Sequence, residues 1–96
     1  GTDNVRSALF IQQTLDELSV DLARGRGEYL DALASLHGCE GEASRHFATG
    51  MRTAFGSLLA EEGYATLDRA GRAERVYYAA RRTLEGPLGR TCGQDA

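Results

Sequence analysis

Asp16-Glu17-Leu18-Ser19-Val20-Asp21-Leu22-Ala23-Arg24-Gly25-Arg26-Gly27-Glu28-Tyr29-Leu30-Asp31-Ala32-Leu33-Ala34-Ser35-Leu36-His37-Gly38 is the stretch on which the fold turns. Leu15, Leu18 and Leu22 run into it at steps of three and four, the spacing of one face of an amphipathic helix. Gly25 stands where a helix ends on a left-handed residue. Gly27 precedes Glu28, whose carboxylate suits the positive first turn of a second helix. Leu30, Leu33 and Ala34, with Leu36 or His37, then resume the helical spacing, and Gly38 stops it. The stretch reads as helix, double-glycine break, helix, glycine stop.

Toward the N-terminus, Ala8 and Ile11 extend the leucine stripe, so the first helix is expected near residues 4–24. Asp3 or Asn4 is its expected cap, and Gln12, Gln13, Asp16, Glu17 and Asp21 fall mostly on its wet side. The second helix is expected near 28–37, and the short Gly38-Cys39-Glu40-Gly41 connection makes the next one fold back or cross. A third helix is expected near 42–62, on a stripe of Ala43, Phe47, Met51, Ala54 and Leu58 widened by Phe55 and Leu59. Gly50 and Gly56 inside it each weaken it by about 1 kcal/mol relative to alanine, and they allow close helix contact; Gly63 ends it. The fourth helix is expected near 67–85, with Thr66 as cap and Ala70, Ala73, Val76 or Tyr77, Ala80 and Leu84 as stripe. Gly86-Pro87 stops it, and residues 86–96 form a loop-like tail. No strand-like alternation competes. The expected fold class is therefore all-α, a compact array of about four amphipathic helices in one domain over residues 1–96.

Composition narrows the function classes. The 96 residues are 42% hydrophobic and 26% charged, which is ordinary for a globular chain and argues against disorder. No apolar run reaches the roughly 18 residues of a membrane span. The net charge of −3 gives no general pull toward nucleic acid or anionic lipid. All 11 basic residues are arginine, which reads first as compositional bias and only second as a choice of guanidinium groups. No export leader is read here, and the start at Gly1-Thr2-Asp3 leaves the compartment open.

Cys39 and Cys92 bear on the compartment. Paired, they would close a loop of about 54 residues and stabilise the fold by roughly 4 kcal/mol. They would also tie the tail to the body and imply export. Two separate thiols and metal ligation are the competing readings.

The combination Asp16-Glu17-Leu18-Ser19, Asp21, Ala23-Arg24-Gly25, Gly27-Glu28, then Leu33-Ala34, Leu36 and Gly38 resembles a family of small exported bacterial proteins classed only as a domain of unknown function. The resemblance covers roughly residues 11–60, with Phe47 and Phe55 where members tend to carry aromatics. It implies a helical fold and a periplasmic or secreted location, and it supplies no catalytic residue. Members usually carry a glycine- and cysteine-containing segment ahead of this region that these residues do not include. A second pattern overlaps it. Leu33 to Phe47 looks like a DNA-binding helix-turn-helix, with a turn glycine and an Ala43-Ser44-Arg45 opening. Glu40 and Glu42 would then lie beside phosphates, where basic or neutral polar groups belong.

Several residues are candidates for chemistry. Arg24-Gly25-Arg26-Gly27-Glu28 suits an anion cradle, with exposed amides, two guanidinium groups and a helix start; the plainer reading is a tight turn in which Gly27 caps and Glu28 pairs with Arg24 or the helix end. His37, Glu42 and His46 lie close in sequence and are weak metal candidates whose spacing fits no strong zinc pattern, so no metal is assigned. Arg72, Arg75, Tyr78 and Arg82 suggest an interaction face, set against a plain solvated face balanced by Glu74 and Glu85. Tyr29, Tyr64 and Tyr77 read as core edges. There is no G-x-S-x-G elbow, no P-loop and no H-E-x-x-H pair, and no cofactor is expected. The sequence thus points to a non-enzymatic, exported helical module that contacts protein. A helix-turn-helix DNA binder and a ligand- or metal-binding bundle are the alternatives.

Overall fold

A computed structural model describes residues 2–93. It contains α1 (Thr2–Arg24), α2 (Glu28–Leu36), α3 (Glu42–Ala60) and α4 (Arg69–Glu85), and no strand among the described residues. The fold class is all-α. Helices α1 and α3 are central, each packed against the other three; α2 and α4 lie apart and are joined through them.

The leucine stripe dictates the packing. Ile11, Leu15, Leu18 and Leu22 of α1 are buried against Leu30, Leu33 and Ala34 of α2 and against Phe47, Met51, Phe55 and Leu58 of α3. Burying a Leu or Phe side chain is worth about 1.5–3 kcal/mol, so this layer supplies most of the driving force. Helix α4 offers smaller groups, Ala73, Val76, Ala79 and Ala80, which let it approach closely. Leu59 and Ala70, assigned to stripes by spacing, are exposed instead, Ala70 at the open rim of the α1–α4 contact beside Gln12.

Helix ends follow local chemistry, with some corrections. Helix α1 already includes Thr2, so Asp3 sits in its first turn rather than ahead of it. Its path bends at Thr14 (φ −118°, ψ 17°), where the Thr14 hydroxyl donates to the Phe10 carbonyl at 2.7 Å and competes with the helical ladder. Helix α3 ends at Ala60, with extended Glu61 as its last cap, three residues before Gly63. Thr66 is not the cap of α4. Its hydroxyl donates to the Gly63 carbonyl inside the loop, while Asp68 accepts from the Gly71 amide at 2.8 Å and caps the helix. Tyr64 in this loop is buried edge-on against Phe55.

The tail turns back along the body. Leu88 lies over Gly50, where an added Cβ would stand 2.7 Å from the Thr83 methyl and 3.4 Å from Leu88. Gly93 donates its amide to the Gly38 carbonyl at 3.0 Å, and Cys92 is disulfide-bonded to Cys39 across 53 residues of sequence. Residues 94–96 of the expected tail lie outside the described residues.

Candidate functional site

The glycine break between α1 and α2 is built around Asp21. Spacing assigned this residue to the wet side of α1, yet it is only 8% exposed. Its carboxylate accepts from the amides of Tyr29 at 2.8 Å and Leu30 at 3.1 Å, two of the four amides a helix leaves unpaired at its start. Its backbone carbonyl accepts from Gly25 at 2.7 Å and Arg26 at 3.2 Å, closing the end of α1. One residue therefore ends one helix and begins the next.

At the start of α2 the Tyr29 and Leu30 amides therefore bind the chain's own carboxylate. Gly27 holds the N-cap position, its carbonyl accepting from the Asp31 amide at 2.9 Å, while the side-chain cap comes from Asp21. The glycine is required because it holds φ 138° and because a Cβ there would collide with the Asp21 carboxylate. Arg24, Arg26 and Glu28 face solvent, and Glu28 forms no ion pair among the described residues. The stem of Arg52, from α3, lies across Gly25.

The other sequence candidates separate. Arg72 turns back to donate to the Leu67 carbonyl at 2.6 Å, and Arg75 pairs with Glu61. Arg82 and Tyr78 remain outward. Arg82 lines a shallow apolar groove of about 260 Å³ between α3, α4 and Leu88. Tyr78 is half exposed beside Tyr77. His46 is exposed, and Glu42 lies 3.6 Å from Arg45. His37 sits apart from both, and no three His, Cys, Asp or Glu side chains gather as a metal site among the described residues.

His37 instead belongs to a polar pocket that the sequence did not reveal. Thr2, Asp3 and Asn4 from the first turn of α1, His37 from the end of α2 and Arg81 from α4 enclose about 360 Å³. Arg81 donates to the Asn4 side-chain oxygen at 2.6 Å and lies 3.8 Å from Glu85. The His37 ring is 6.4 Å from that of Phe47, and its Nε2 is shielded from water with no hydrogen-bond partner. Burial pushes the His37 pKa below the ordinary 6.5; Asp3 pulls it up and Arg81 pushes it further down. Asn4 and Arg81 are 77 residues apart, and nothing in their local sequence announces the pairing.

A family model described as a protein of unknown function, DUF3015, matches residues 1–77. The chain belongs to this family. The DUF3015 match extends beyond the residues that carry the motif, taking in all of α3 and the first half of α4. Cys39 lies inside it; Tyr78, Arg81, Arg82 and Cys92 lie past it. No curated protein and no solved structure matches the chain.

Proposed function

We propose that this DUF3015 chain is an exported helical module of the bacterial cell envelope, periplasmic or secreted, that acts by contacting another protein. The observation that carries the reading is the Cys39–Cys92 bridge, because disulfides persist in oxidising compartments and are rare in reducing cytosol. No described helix is long and apolar enough to cross a membrane. Contact with protein is supported by large apolar groups left in solvent: Val5 and Leu9 one turn apart on α1, and Tyr78 on α4. The reading assigns the chain no reaction of its own. Exposed Glu40 and Glu42 at the opening of α3 weigh against DNA, since both would meet phosphates.

The test is fractionation of cells making the natural precursor, with thiols blocked at harvest. The reading expects the bridged protein in the periplasm or medium. Cytosolic protein with two alkylated cysteines overturns it. Leu9→Asp is then expected to weaken an in-cell crosslink to the partner while leaving thermal stability unchanged.

A further inference from the structure

The pocket at the start of α1 contains a histidine in an unbalanced position. The inner edge of the ring, Nε2, is dry and has no acceptor. The pocket beside the ring is polar and wide enough for an imidazole. The charged groups that act on the ring are Asp3 from α1 and Arg81 from α4; α3 contributes only the uncharged Phe47. Arg81 is already engaged, with Asn4 on one side and Glu85 on the other. Asp3 has no ion pair among the described residues.

We propose that His37 is an acid-driven switch: on taking up a proton from solvent, its ring leaves Phe47, turns into the pocket and pairs with Asp3. A neutral imidazole has one N–H and one lone pair, and its buried nitrogen can remain without a donor. An imidazolium has two N–H groups, and one of them would be trapped in a dry site with nothing to accept it. The same charge would face Arg81. Rotation outward frees the trapped N–H and sets the charged ring beside the Asp3 carboxylate, which offsets the Arg81 guanidinium that also lines the pocket and is itself held by Asn4 and Glu85. At neutral pH the pocket is open between Asp3 and Arg81; in acid the ring fills it.

The switch has a wider readout. His37 is the last cap of α2, and the next two residues hold the tail, Gly38 through its carbonyl and Cys39 through the bridge. Withdrawing the ring from Phe47 loosens the turn to which the tail is fastened.

Nuclear magnetic resonance of the full chain tests this directly, by following the through-space contacts between the His37 and Phe47 rings from about pH 8 to about pH 4.5, the range a histidine spans. Exposed His46 serves as the reference in the same spectra. The proposal expects the His37–Phe47 contacts to disappear in step with His37 protonation. It expects Asp3→Asn to move that transition to lower pH, because the outward partner is removed. Contacts that survive in the protonated protein overturn the switch. A transition in Asp3→Asn that coincides with the wild type overturns Asp3 as its destination.

Discussion

Asp21 shows at the scale of one residue how a side chain can be misplaced by periodicity and still be indispensable. Helical spacing sets it beside the leucine stripe and next to solvent, because a wheel contains no information about where α2 returns. Once Gly25 turns the chain, the start of α2 closes over the carboxylate, and two amides of that helix bind it. Removing the cap by Asp21→Ala is expected to destabilise the protein by about 1–2 kcal/mol, with more lost because the Leu30 amide is left buried and unpaired. Asp21→Asn, which keeps an acceptor, should lose less; urea titration of both variants gives the comparison. His37 gives a second prediction at this scale. Its pKa is lowered in the fold, so the unfolded chain takes up the proton first as pH drops below about 6.5. The stability contributed by the neutral ring is thus full above that value and falls as pH falls toward the folded value. Urea midpoints should decline over that window in the wild type and more weakly in His37→Gln.

The helices themselves were largely readable, and their boundaries were not. Ile11, Leu15, Leu18 and Leu22, or Phe47, Met51 and Leu58, announce a helix because a 3.6-residue repeat of apolar groups has few other uses. Where each helix stops depends on competing local bonds. Asp68 outcompetes Thr66 as a cap because its carboxylate reaches the Gly71 amide, while the Thr66 hydroxyl is engaged in its own loop. Two glycines that look alike within α3 differ for a related reason. A Cβ at Gly56 meets nothing, so Gly56→Ala should stabilise the protein by up to about 1 kcal/mol. A Cβ at Gly50 would press on the Thr83 methyl and on Leu88, so Gly50→Ala should destabilise it despite the same gain in helix propensity. Thermal melts of the pair decide whether α3 and α4 approach as closely as described.

For the whole molecule, the two cysteines were the clearest long-range signal, because a chain with only two has one possible internal pairing. The pocket of Asp3, Asn4, His37 and Arg81 gave no such signal, because it depends on α1 and α4 meeting at residues far apart in sequence. The bridge holds together what the helices alone do not. It fastens the tail to the end of α2, beside the Gly93–Gly38 hydrogen bond. Reduction is expected to cost about 4 kcal/mol on the chain-entropy account. That is a large share of the 5–15 kcal/mol typical of a small domain, so the reduced protein should unfold at markedly lower denaturant. The proposed export requires Cys39 and Cys92 to be bridged in the cell that makes the protein. Peptide mapping without reductant, on protein recovered from its producing cell with thiols alkylated at lysis, tests it most directly. The expected result is one crosslinked peptide pair joining Cys39 to Cys92 and no alkylated cysteine. Two alkylated cysteines and no crosslinked pair would contradict it.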